Sequence, residues 1–261
     1  MIISKIQGGL GNQMFQWAYG RYLSYKYQKE LRLDSNFYSF KVPGMPQREF
    51  LLSKFPNIKP NTDLKISLNG PVYKIEDNFT FKEIPNPLES NYYLDGYWQS
   101  EKYFKEIESL IREDFKPSDE TIDKLLKTPL IDKNTISLHI RRTDYVTSNG
   151  YHPVQTIEYY KKAIDIIGDY DYIFVFSDDL KWCKENLNFE NMIFIDGFTD
   201  IEDLYLMSMC KNNIIANSSF SWWGAWLNTN PDKKVIAPIR WFGDMAKINT
   251  SDIIPDSWIK I

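Results

Sequence analysis

Four short runs in this chain carry residues that could do chemistry. The first is His139-Ile140-Arg141-Arg142-Thr143-Asp144, at the end of a stretch that alternates like a strand. Ile136, Leu138 and Ile140 share one face, while Ser137, His139 and Arg141 share the other. Open parallel sheets bind ligands beyond the carboxyl ends of their strands, and the planar guanidinium fork suits phosphate oxygens. Read alone, Arg141 and Arg142 could equally be held by neighbouring acids such as Asp144. The second run is Asn217-Ser218-Ser219-Phe220-Ser221-Trp222-Trp223-Gly224. Its hydroxyls at Ser218, Ser219 and Ser221 stand at a strand-to-helix junction, where helix N–H groups favour an anion. Simple N-capping by Ser218 or Ser219 is the plainer alternative. In the third, Phe174-Val175-Phe176-Ser177-Asp178-Asp179, Asp178 could accept two N–H bonds from a guanine edge. It could also hold a divalent metal with Asp179, or cap a helix. The fourth is Gly8-Gly9-Leu10-Gly11-Asn12-Gln13-Met14-Phe15. Glycines such as Gly11 let a ligand approach the backbone, and Asn12 and Gln13 offer amide donors at a helix start.

Each run has to be presented by a strand-to-helix turn, and the sequence supplies such turns. Strands are expected at 2–7, 31–34 and 92–97, with a helix over 12–27. A second helix capped by Ser100 runs to about Phe115, with Glu101 in its first turn. The stretch 37–91 is rich in Pro, Asn and aromatics and reads as irregular with short elements. A helix over 119–127 ends at Thr128-Pro129. Strands then follow at 135–140, 172–177, 192–196, 213–216 and 234–237, separated by helices over 156–167, 180–187, 200–210 and 219–227. That alternation indicates βαβ units on a parallel sheet. Two α/β halves joined near residue 130 are therefore expected, with a ligand cleft between them.

Bulk properties narrow the partners. In 261 residues, 43% are hydrophobic and 25% charged, which is ordinary for a globular protein. A net charge of −4 argues against broad binding to nucleic acid or anionic lipid. The two cysteines, Cys183 and Cys210, lack metal-ligand spacing and read as reduced thiols of a cytosolic protein. The start MIISKIQGG shows no signal peptide and no uncharged run is long enough to span a bilayer. A soluble, cytoplasmic protein is expected, with peripheral association at the inner face of the membrane left open. Gly9-x-Gly11 followed by Asp34 imitates a dinucleotide fingerprint, but Met14 stands where the third glycine belongs. No Gly-Lys-Ser/Thr of a P-loop occurs. Two arginines, several hydroxyls, an acid for a base edge and an amide-rich loop make up what a nucleotide-sugar site needs when no metal neutralises the diphosphate.

The runs GGLGNQMFQWAYGRYLS, HIRRTDYV, FVFSDD and DLYLMSMCKNNIIANSSFSWWGAWLN, and the ending VIAPIRWF with IPDSWIKI, resemble glycosyltransferase family 11, the α-1,2-fucosyltransferases. The resemblance spans nearly the whole chain in order, and it implies an α/β, GT-B-like fold of two Rossmann-like domains, 1–132 and 133–261, with GDP-fucose held mainly by the second. It implies inverting, metal-independent transfer of L-fucose from GDP-fucose to the 2-hydroxyl of a terminal galactose in an oligosaccharide or surface glycan. It places Arg141 and Arg142 at the diphosphate, His139 in the donor pocket, Asp178 at the guanine and Ser218 to Ser221 beside the phosphates. Asn12 lies in the Gly-rich loop, with Gly11 and Gln13, that faces the sugar. Thr143 stands where many members have glycine, and the middle of the chain carries no matching motif, which leaves the acceptor undefined. The expected catalytic set is Arg141, Arg142 and Asp144, with Asp144 the first and His152 the second candidate for a base. The competing readings are a metal-dependent sugar transferase using Asp178 and Asp179, and a non-catalytic nucleotide- or sugar-binding protein.

Overall fold

A computed structural model describes residues 1–39, 48–62, 72–76, 79–84, 91–148 and 150–261. The chain divides into two compact units. The first holds Met1–Lys116 with Asn249–Pro255, and the second holds Pro117–Ile248 with Asp256–Ile261. The division thus falls before the one drawn from the sequence at 132/133. The helix Asp119–Leu125 (α3) belongs to the second unit, where Leu125 packs among Phe174, Phe176, Leu206 and Met207.

In the first unit, β1 (Ile2–Lys5), β2 (Leu31–Asp34), β3 (Val72–Glu76) and β4 (Asn91–Asp95) form a parallel sheet in the order β2-β1-β4-β3. Helix α1 (Leu10–Tyr27) follows β1 and is buried over most of its surface. Its buried amides are matched by backbone. Gln16 accepts from the Gln7 N–H at 2.9 Å and donates to Gly96 O at 3.0 Å, tying α1 to the chain beyond β4. A buried amide left unbonded would cost about 1 to 3 kcal/mol, so these pairings fix where α1 starts. The helix expected from Ser100 to Phe115 is divided. Ser100 does cap a turn, accepting from Lys102 N–H, but that turn is a short 3-10 segment, Glu101–Tyr103. A second turn, Lys105–Ile107, precedes the helix α2 (Glu108–Asp114). Phe104, at φ −144° and ψ 5°, leaves the helical region, and its buried ring lies 6.2 Å from that of Phe15. Packing has overridden propensity there. Strand β3 lies inside the stretch read as irregular; residues 40–47, 63–71, 77–78 and 85–90 of that stretch lie outside the described residues.

In the second unit, β5 (Thr135–Ile140), β6 (Tyr172–Ser177), β7 (Met192–Phe194), β8 (Asn212–Ile214), β9 (Val235–Ala237) and β10 (Ile259–Lys260) run parallel in the order β10-β9-β8-β5-β6-β7. Between them come α4 (Thr143–Val146), α5 (Ile157–Ile167), α6 (Leu180–Asn186), α7 (Asp200–Met209) and α8 (Ser219–Leu227). The apolar face of β5, Ile136, Leu138 and Ile140, packs with Tyr160, Ala163, Ile164 and Ile167 of α5, whose i, i+3, i+4, i+7 spacing makes one stripe. The polar face is buried too. Ser137 Oγ accepts from Asn213 Nδ2 at 2.7 Å, and Asn213 in turn bonds Asn228 and Met207 O. Helix α8 closes on α7 through Gly224, where a Cβ would stand 2.9 Å from Met207 Cβ. Trp222, Trp223 and Trp226 pack against one another, and Trp258 adds to the group, so these rings form core.

Candidate functional site

The chain runs β5 to β6 to β7 in one direction across the second sheet and then returns to place β8 on the other side of β5. The order reverses between β5 and β8, and ligands of open α/β sheets bind at the carboxyl ends of the strands at such a point. The runs 139–144 and 217–221 leave β5 and β8 there. The phenolic O–H of Tyr145 donates to Asn217 O at 2.8 Å, joining the two loops.

The structure separates the two arginines. Arg141 turns to α4: its Nε and Nη2 bond Asp144 Oδ1 at 3.0 and 2.8 Å, and Nε lies 3.3 Å from Asp178 Oδ2. Burial works against the charge, but the Asp144 bond and Asp178 outweigh it and hold the guanidinium pKa above its ordinary value. Arg142 turns to α6, where its guanidinium lies 3.7 Å from the centre of the Trp182 ring and Nε donates to Asp179 Oδ2 at 3.4 Å. Each guanidinium thus has its own acid partners. Arg141 ties α4 to the end of β6, while Arg142 ties β5 to α6.

Asp178 accepts from the backbone N–H of Arg142 at 2.9 Å and of Thr143 at 3.2 Å, and from the Thr143 hydroxyl. It shapes the turn that carries Arg141, and this use accounts for most of its acceptor capacity. Asp179 caps α6 by accepting from Trp182 N–H at 3.1 Å. His139 is 4% exposed beside Phe220 of α8, with ring centres 5.8 Å apart. Burial, aided by the Arg141 charge, pushes its pKa down to about 3, so it is neutral at physiological pH. Its Nδ1 has no hydrogen-bond partner. Ser218 occupies the N-cap position of α8 but its hydroxyl makes no capping bond. Ser221 is buried and bonds Ser218 O at 3.3 Å, and Ser219 is half-buried at the first position of α8. His152 stacks on Tyr145 at 4.6 Å and lies 5.2 Å from Phe242; burial lowers its pKa, with Asp144 partly opposing.

In the first unit the order reverses between β1 and β4, and the Gly-rich loop leaves β1 at that point. Asn12 is half-buried, and its Oδ1 accepts from Gln99 Nε2 at 2.8 Å. Gly11 is buried in the first turn of α1. Gln13 is engaged within the fold. It is fully buried, its Nε2 donates to Gly8 O and Glu49 O, and its Oε1 accepts from Leu51 N–H. Both ends of the amide help hold residues 49–51 to the loop.

Asp203 went unread in the sequence. It lies in the first turn of α7, a helix that, like every βα helix here, starts at the carboxyl end of the sheet. Burial, with Asp200, Glu202 and Asp196 adding repulsion, lifts its pKa to about 7, and its Oδ1 has no partner. Acids so poised collect at functional sites. Its only sequence signal was a third carboxylate, after Asp200 and Glu202, where one at the N-cap side suffices for the dipole. Among the described residues, no group of three or more His, Cys, Asp or Glu could hold a metal ion, and no helix is long and apolar enough to cross a membrane.

A doubly parallel α/β protein with an arginine, a neutral histidine and helix-start hydroxyls at its strand reversal has the build of a sugar-nucleotide transferase of GT-B-like fold. The whole chain, residues 1–261, matches Glycosyl transferase family 11, and it belongs to that family. It is 35% identical to an alpha-1,2-colitosyltransferase of Escherichia coli, over 100% of this chain and 99% of that one. It is 33% identical to the galactoside 2-alpha-L-fucosyltransferase of Caenorhabditis elegans, over 64% of this chain and 52% of the relative. Among solved structures its fold resembles the NodZ alpha-1,6-fucosyltransferase soaked with GDP-fucose, with a TM-score of 0.54 at 16% identity over 87% of this chain and 91% of the other.

Proposed function

We propose that this glycosyltransferase moves L-fucose from GDP-fucose, with inversion and without a required metal, to the 2-hydroxyl of a terminal galactose in an oligosaccharide or surface glycan. The observation that carries the reading is Arg141, held at the strand reversal by Asp144 and Asp178 with its charge reinforced. A prearranged cation there stabilises charge growing on the β-phosphate as the anomeric bond breaks, at no cost in reorganisation. Asp144 acts by orienting Arg141, and Arg142 by fixing the turn. The hydroxyls of Ser218 and Ser219, beside the start of α8, add donors for the diphosphate. His139 and Asp203 flank the nucleotide base, Asp203 offering an acceptor for its N–H groups, while Asp178 supports the turn that carries Arg141. Asn12 faces the transferred sugar. His152, kept neutral by burial, is the group able to take the acceptor proton.

The identity to a colitosyltransferase over its full length favours one second reading of the donor. Colitose is fucose without the 3-hydroxyl, so the two donors differ by a single polar group. Both GDP-sugars, each offered with β-galactoside acceptors and read by mass spectrometry, decide between them. Faster transfer of the fucosyl group supports the first reading. Transfer of colitose alone would replace it, and release of GDP from neither would remove both.

A further inference from the structure

We infer that Gln99 is a positioning residue that sets the polarity of the Asn12 amide, so that Asn12 presents hydrogen-bond donors rather than an acceptor. The inference rests on the reading above that Asn12 faces the transferred sugar. Gln99 lies just past β4, at the sheet reversal of the first unit, and is 7% exposed. The backbone around it is bent to bring it there. Trp98 adopts φ +53°, which is unusual for a bulky residue, and Ser100 N–H bonds Trp98 O at 2.7 Å to close a three-residue turn with Gln99 at its apex. The buried Trp98 ring is held in a cluster with Tyr19 at 4.8 Å and Tyr103 at 5.5 Å, whose own rings lie 4.5 Å apart. Gln16, donating to Gly96 O, anchors the same segment to α1. Strain of this kind persists where the surroundings overdetermine it, and it gathers at functional positions.

The turn delivers Gln99 Nε2 to Asn12 Oδ1 at 2.8 Å. The opposite orientation of both amides would keep one hydrogen bond but bury the Gln99 NH2 without a partner. In the orientation observed it is the Gln99 carbonyl, Oε1, that has none. A buried carbonyl with an unused acceptor is tolerated better than an orphaned N–H, and the amide carries two of the latter. The observed polarity is therefore the cheaper one. With its oxygen occupied, Asn12 turns Nδ2 over Gly8. There the backbone has φ +82°, and a Cβ would come within 2.7 Å of that nitrogen. Gly8 thus clears the space in which Asn12 holds its donors.

The test is a double-mutant cycle. Gln99→Met keeps length and removes the bond, and should lower kcat by about 30-fold or more, as small misplacements of positioning groups do, with GDP affinity unchanged. Gln99→Glu can only accept, which would draw Asn12 Nδ2 inward, and should cost more than Gln99→Met. In an Asn12→Ala background Gln99→Met should cost less than threefold, because it acts through Asn12. Equal losses from Gln99→Met in both backgrounds, or Gln99→Glu as active as wild type, would overturn the inference. The bond is also read without turnover: the Gln99 side-chain NH2 resonances should shift in Asn12→Ala, and unmoved resonances would refute the pairing. Failure of the wild-type protein to transfer fucose bears instead on the donor, and leaves the resonance test to judge Gln99.

Discussion

Asp203→Asn should stabilise the protein at pH 8 and do little at pH 4. The carboxyl is held at about 7 by burial and by the neighbouring acids Asp200, Glu202 and Asp196, against about 3.9 in an unfolded chain. Below about pH 4 both states carry the proton, so the shift costs nothing. As pH rises from there to about 7 the unfolded chain ionises first, and the folded state loses stability until its own carboxyl ionises. Roughly three pKa units at 1.36 kcal/mol each set a ceiling of about 4 kcal/mol above pH 7. Partial exposure lowers that ceiling, and the new NH2 has to find partners at a cost of about 1 kcal/mol. A net gain of roughly 1 to 3 kcal/mol remains. Urea unfolding of both proteins at pH 8 and pH 4 measures it as a shift in midpoint at constant slope. His139 titrates with the opposite sense, since its pKa is lowered and its contribution is lost as pH falls from about 6.5 toward 3. That term is common to both proteins and cancels. An equal effect at the two pH values, or destabilisation at pH 8, would mean that the Asp203 carboxylate is not an uncompensated charge in the folded state. Stability gained should be matched by GDP affinity lost, because the charge the fold leaves uncompensated is the one a ligand would meet.

Arg141→Lys should lower kcat/KM by about 100-fold, because an ammonium cannot reproduce the fork that Asp144 and Asp178 orient; steady-state rates within threefold of wild type would remove Arg141 from that role. If His152 takes the proton, activity should fall as pH drops through a value below the ordinary 6.5 of histidine, as its lowered pKa requires, and His152→Gln should lose that limb. An acid limb centred above pH 7 would contradict the assignment. Gly243→Ala should destabilise by roughly 1 to 3 kcal/mol in thermal or urea unfolding, since its Cβ would stand 1.7 Å from Gly150 O and backbone has to move. A variant as stable as wild type would show that the contact between those loops is not close.

Much of the second unit was legible because its periodicity is local. The bounds of β5, β6 and α8 agree with the reading residue for residue, and α5 carries a clean apolar stripe. The helix after Ser100 was overrun because nothing local announces the break at Phe104, which is set by a ring packed against Phe15. Side-chain roles were harder to read than elements. Gln13 and Asn12 look alike as amides at a helix start, yet one is consumed by backbone from residues 8, 49 and 51 while the other is half-buried beside Gln99. Arg141 and Arg142 are adjacent in sequence, but their partners, Asp144 for one and Asp179 with Trp182 for the other, draw them apart. Asp203 and Gln99 depend wholly on tertiary neighbours, which no spacing along the chain reveals.

The most direct test of the proposed activity is to incubate purified protein with GDP-fucose and a panel of β-galactosides in the presence of EDTA, and to follow each acceptor by mass spectrometry and linkage analysis. A gain of one deoxyhexose on a galactose-ended acceptor, linked at the 2-position in the α configuration, is the expected result. A product that forms only when a divalent cation is restored, or fucose attached at another hydroxyl, would contradict the account.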